Sequence, residues 1–171
     1  MKFRISLIFA FILTILFAAC GPSVEEAIKY NDAIVNQGLK VINKIDTLNI
    51  NFATYDPAKI VPALDAAKKQ AEISLGKISK MEDFQGNPKF RDAAIVYLTI
   101  VNNALNKEFN EMSDIYQIPD TLFTESNEKR WNELSNSIDK TLTDSYYEYI
   151  AAQKEFALKY NMPLIDAEDI K

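Results

Sequence analysis

Residues 23–52 read SVEEAIKYNDAIVNQGLKVINKIDTLNINF, and the spacing of their apolar positions decides the fold. Ile28, Ile34, Val35, Val41, Ile42, Ile45, Leu48 and Phe52 return at intervals of three and four, which places them along one side of a helix. Such a side must be buried against other elements, so the helix implies partners. Ser23 followed three places on by Glu26 has the form of a capping box and marks the predicted start.

Working outward, three more stretches repeat the pattern. Ile60, Leu64, Ala67, Ala71, Ser74, Ile78 and Met81 lie close to a heptad seam with small residues at its centre. Asp56-Pro57 suits a cap followed by a first-turn proline. Pro62 has no N–H to give, so the second helix either starts at Pro62 after a separate turn or kinks there. Asn87-Pro88 opens the third pattern, which Phe90, Ala94, Tyr97, Val101, Leu105, Met112 and Ile115 carry to Pro119. The fourth begins near Glu125 and runs through Trp131, Leu134, Ile138, Leu142, Ser145, Tyr149, Ala152, Phe156 and Tyr160 before Pro163. Nothing reads as a strand pair. Four long helices with three short connections predict an all-α chain, an antiparallel up-down-up-down four-helix bundle. Gly38 and Gly76 fall inside the helical stretches and read either as close-approach points between helices or as tolerated weak spots.

Upstream of the bundle, residues 1–19 have the layout of an export signal. Lys2 and Arg4 precede an apolar run over residues 5–19, broken only by Ser6 and Thr14. A membrane-spanning helix needs about 20 apolar residues, and the next charges are Glu25 and Glu26 instead of a basic stop-transfer cluster. Phe17-Ala18-Ala19-Cys20 then resembles the lipobox of bacterial lipoproteins, with one departure: Phe17 stands where leucine is more frequent, and Leu16 sits one place earlier. The resemblance implies removal of residues 1–19, acylation of Cys20, and residues 20–171 as the anchored bundle domain. An acylated sulfur can act neither as nucleophile nor as metal ligand. Two or three acyl chains, at about 0.8 kcal/mol per buried methylene, hold a protein stably on a bilayer. The implied location is the bacterial cell envelope, with Gly21 after the cysteine compatible with the outer membrane or surface more than the inner membrane.

Composition narrows the function. Of the 19 basic residues, Lys2 and Arg4 lie in the leader, so residues 20–171 keep 17 against 24 acidic ones, a net charge of −7. A surface of that sign disfavours nucleic acid as a partner. With Cys20 the sole cysteine, no disulfide can form within the chain, and packing alone must hold the fold. The sequence contains no histidine, which removes the usual general base, the Ser-His-Asp and Cys-His arrangements, and the commonest metal ligand. Glu108 and Glu111 have the spacing used in di-iron bundles but lack the histidine partner, and read as a solvated helix face. Met81 and Met112 read as core filler. No Gly-rich phosphate loop or calcium loop is present. No catalytic residue, cofactor or metal is expected, and the chain reads as a non-enzymatic binding or structural module.

Two surfaces stand out from the helical phase. Ile73, Val96 and Tyr147 fall outside the seams of helices two, three and four at similar heights, and read as an outer patch for an envelope protein or for self-association. Tyr55, Leu122, Phe123 and Trp131 gather at or below the loops farthest from Cys20, where aromatic residues suit binding. As an alternative, space left by Ala67, Ala71, Ser74 and Gly76 suits a carrier of a small apolar ligand or lipid between the helices. The aromatic residues of 146–160 read mainly as core. The segments YDPAKIVPALDAAKKQ (55–70) and AAQKEFALKYNMPL (151–164), with the lipobox, resemble families of helical bacterial surface lipoproteins of unknown function; that likeness implies an envelope location and a helical fold, with no functional residue to carry over. In architecture alone the chain also resembles imelysin-like and ferritin-like bundles, whose histidine motifs it lacks.

Overall fold

The computed structural model describes residues 21–54 and 56–163, so Cys20 and Tyr55 lie outside the described residues. Five helices follow in order: α1 (Val24–Ala53), α2 (Pro57–Ile78), α3 (Lys89–Asn106), α4 (Glu108–Tyr116) and α5 (Glu125–Lys159), with a 3-10 turn at Asp120–Leu122 before the last. Because α4 packs on α5 and α2, the same neighbours as α3, the two together make one interrupted rod. The result is the antiparallel up-down-up-down four-helix bundle. Its direction can be read from cross-contacts: Tyr30, early in α1, meets Phe156, late in α5, while Phe52 at the end of α1 meets Trp131 near the start of α5. We call the end where α1 begins proximal and the opposite end distal.

Local chemistry sets the helix ends. Ser23 accepts the Glu26 N–H at 3.2 Å while the Glu26 carboxylate takes the Ser23 N–H at 2.8 Å, the reciprocal box expected at the start of α1. Thr124 and Asn127 repeat it at α5. Helix α2 starts at Pro57, with Pro62 inside its second turn. The residue whose carbonyl loses a bond there, Ala58, is exposed, which keeps the cost of the missing N–H low. Asp56 does occupy the N-cap position, but its side chain makes no cap hydrogen bond and pairs with Lys59 at 2.7 Å. Pro88, not Asn87, stands at the N-cap of α3. Asn87 instead closes a tight turn, donating its N–H to the Phe84 carbonyl at 3.0 Å across Gln85 and Gly86, whose φ values of 55° and 73° are both left-handed. At the far end of α5, Asn161 adopts φ 53°, and Met162 N–H reaches the Ala157 carbonyl at 2.9 Å, a Schellman closure.

One interruption was not expected. At Lys107 the backbone leaves the helical well at φ −118°, ψ −76°, and its N–H is shared between the carbonyls of Asn103 and Ala104. Neither proline nor glycine marks the place.

Packing is uneven around the bundle. Helix α1 lies close along α2, and α5 along α3, whereas α1 and α5 approach less closely. They meet through long side chains: Tyr30 against Phe156 and the Gln153–Asn31 hydrogen bond of 2.8 Å proximally, Phe52 against Trp131 distally. Ser74, fully buried, donates to the backbone carbonyl of Gln37 at 3.0 Å, which so short a side chain can reach only where the α1 and α2 backbones nearly touch. The fully buried Ala67 and Ala71 on the same seam permit that approach.

Glycines in α1 and α2 do not share this role. A Cβ added at Gly38 or Gly76 meets nothing within 4 Å, so neither is a close-approach point. Gly38→Ala and Gly76→Ala are each expected to stabilise the chain by about 0.5–1 kcal/mol, since alanine costs less entropy to fix in a helix. Gly86→Ala has equal room but the wrong φ, and is expected to destabilise by about 1–2 kcal/mol. Urea midpoints of the three variants test this, and equal shifts of one sign would contradict it.

A line of rings forms the proximal core. Phe156 packs against Tyr30, Phe84, Phe90 and Tyr160 at centroid distances of 4.8–5.5 Å, and Tyr149 links Phe90 to Tyr97. Tyr30 and Tyr160 donate their hydroxyls to the carbonyls of Glu82 and Phe84, tying the tight turn to the bundle end. Burial, reinforced by Tyr146, pushes the Tyr97 phenol up to about 12 and raises that of Tyr149 as well. In the unfolded chain both ionise near 10. A raised folded pKa stabilises fully below pH ~10, and that contribution is lost as pH climbs from about 10 toward 12. Alkaline titration should therefore show two late phenols whose ultraviolet tyrosinate signal appears together with loss of helical circular dichroism; their ionisation with the fold intact would contradict the burial described here.

Candidate functional site

The distal end carries a cleft of about 1300 Å³. Its floor comes from three elements. Phe52 enters from the last turn of α1, Tyr116 from the last residue of α4, and Trp131 from the second turn of α5. Phe52 and Trp131 meet edge to face at 5.3 Å and 84°, while Tyr116 lies 5.9 Å from Phe52 and 6.1 Å from Trp131. Pro119 caps the following 3-10 turn, with Leu122 N–H returning to the Pro119 carbonyl at 2.8 Å. This turn delivers Phe123 to the mouth, where it lines the cleft and stays 44% exposed. Asn49, Gln117 and Ser135 add polar edges.

Charge around the cleft is one-sided. Among the described residues, Asp120 and Glu128 are its only charged lining residues. Beside it, Arg130 holds Glu111 by two hydrogen bonds of 2.6 and 2.8 Å, fastening α5 to α4. The guanidinium keeps the Glu111 carboxyl below its usual range, and the carboxylate raises Arg130 in turn. Glu111 thus forms a cross-helix pair, and Glu108 contacts Lys107 at 3.5 Å. Among the described residues, no group of three or more His, Cys, Asp or Glu could hold a metal ion.

The cleft unites part of the expected tip. Phe123 and Trp131 line it, Leu122 stands outside it at 67% exposed, and Tyr55 lies outside the described residues. Phe52 and Tyr116, which periodicity assigns to core or leaves unmarked, supply the rest of the floor; their places at helix ends bordering distal connections were the available signal.

The outer trio is not gathered in the same way. Ile73, Val96 and Tyr147 are all exposed. On α2, Ile73 adjoins Ser74, which bonds α1, and stands about 140° around the helix from Lys68, which bonds Asn110 of α4. On α3, Val96 lies one turn before Ile100, which faces α5 across a smaller cleft of about 530 Å³ at the Lys107 break. Ile73 and Val96 therefore lean toward different neighbours. Tyr147 touches one ring, that of Tyr146 at 6.5 Å.

The small residues considered for an apolar ligand have another use. Ala67, Ala71 and Ser74 are fully buried, with Ser74 bonded to the Gln37 carbonyl of α1, and Gly76 is exposed. Among the described residues, no helix is long and apolar enough to cross a membrane. Compared with protein-family models, with curated proteins and with solved structures, the chain matches none.

Proposed function

We propose that this chain is a lipid-anchored protein of the bacterial cell envelope that works by binding and not by catalysis, and that the distal cleft is its binding end. The supporting observation is the cleft's position relative to the lipobox-like cysteine. Helix α1 has 30 residues, which at 1.5 Å each span about 45 Å. Only Gly21 and Pro22 separate Cys20 from the capping Ser23, so little tether intervenes. An acylated Cys20 would seat the proximal end against the bilayer and hold the aromatic cleft well clear of it, in reach of a partner in the aqueous space. Aromatic anchors in a partly open pocket are the residues that carry binding energy at interfaces. The absence of histidine from the sequence fits the same reading.

A photo-crosslinking residue placed at position 123 in the full-length protein, in its native envelope, tests this against one placed at position 147. The reading expects a discrete adduct from position 123 that persists when position 147 gives none. Adducts from position 147 alone would move the interface to the outer face of α5.

A further inference from the structure

We infer that the distal cleft receives a cationic side chain, a lysine or arginine carried on an extended segment of a partner protein; this rests on the cleft being the binding end. Three observations converge. First, among the described residues the cleft's only charged lining groups are Asp120 and Glu128, and neither belongs to an ion pair; of the cations near them in sequence, Arg130 is taken by Glu111 and Glu133, while Lys129 belongs to no ion pair and so holds no carboxylate of the cleft. Second, residues 107–133 hold seven carboxylates against three basic side chains, so the field over the distal end is negative and draws cations inward. Third, the same cleft is lined by the aromatic residues Phe52, Tyr116, Phe123 and Trp131, and ring faces attract ammonium and guanidinium groups.

Ring geometry favours a side chain over a free organic cation. Phe52, Tyr116 and Trp131 pack on one another at 5.3–6.1 Å, so they form a one-sided floor, not a box that could surround an ammonium. A cleft of about 1300 Å³ also exceeds what one small cation fills, and fits several residues of chain with one basic group laid over Trp131 and Phe123.

Trp131 is the sole tryptophan, so its fluorescence reports on the cleft directly. The full-length protein in detergent is titrated with a tetra-arginine peptide and with its citrulline counterpart, which keeps the shape and loses the charge. The arginine peptide is expected to give a saturable change. Asp120→Asn with Glu128→Gln should weaken it about tenfold, as should raising salt toward 1 M, while Asp65→Asn with Asp139→Asn, outside the cleft, should leave it unchanged. An equal response to citrulline, or no loss in the cleft variant, overturns the inference. So does tetramethylammonium matching the peptide, which would make the site one for a free cation. Silence toward every cation while the position 123 adduct still forms overturns the cationic occupant alone; silence with no adduct overturns the binding end as well.

Discussion

Phe156→Ala is expected to destabilise the chain by about 3–5 kcal/mol, the largest loss for any single truncation here. The side chain is 2% exposed and touches rings from α1, the tight turn, α3 and the end of α5. Four elements thus lose a shared contact at once, and neighbours held by other rings can collapse only partly into the space. Domains of this size are stable by about 5–15 kcal/mol in total, so the change removes a large fraction. Urea unfolding should show a much lower midpoint at nearly constant slope. Tyr147→Ala, at a residue 68% exposed, serves as the comparison and should stay within about 0.5 kcal/mol. A loss below about 1 kcal/mol for Phe156→Ala would mean the proximal rings touch without supporting the fold.

Ala71→Leu tests the opposite kind of change. Ala71 is fully buried on the seam where Ser74 reaches the Gln37 carbonyl, so added methylenes must push α1 away from α2 or force strained rotamers. The expected cost is about 1–3 kcal/mol. Were this seam instead a space kept for an apolar ligand, leucine would fill it at little cost or with a gain. The sign and size of the shift in urea midpoint therefore separate a packed seam from a ligand cavity.

Much of the fold was legible because apolar residues recur at helical spacing and each helix needs only one buried side. The start of α1 was legible for a local reason: Ser23 and Glu26 satisfy each other within one turn. What escaped depends on more than one element. The start of α2 at Pro57 turned on whether a carbonyl deprived of its partner by Pro62 could be left exposed. The break at Lys107 carries no breaker residue. The proximal rings come from α1, a turn, α3 and α5, each in a different helical phase, so no window of sequence contains them. Heights along the rods placed Ile73, Val96 and Tyr147 at one level, yet the side of the bundle each takes depends on which neighbour its helix packs against, as Lys68 and Ser74 reveal for α2. At the distal end, Trp131 and Phe123 were visible as aromatics near loops. Phe52 and Tyr116 joined them only once α1, α4 and α5 were brought together.

The anchored binding module is tested most directly by the intact mass of the protein taken from native membranes, with and without Cys20→Ser. A mass equal to residues 20–171 plus acyl chains, absent in the variant together with membrane association, is the expected result. A mass matching the whole unmodified chain would contradict acylation at Cys20 and remove the reason for assigning the cleft to the end that points away from the bilayer.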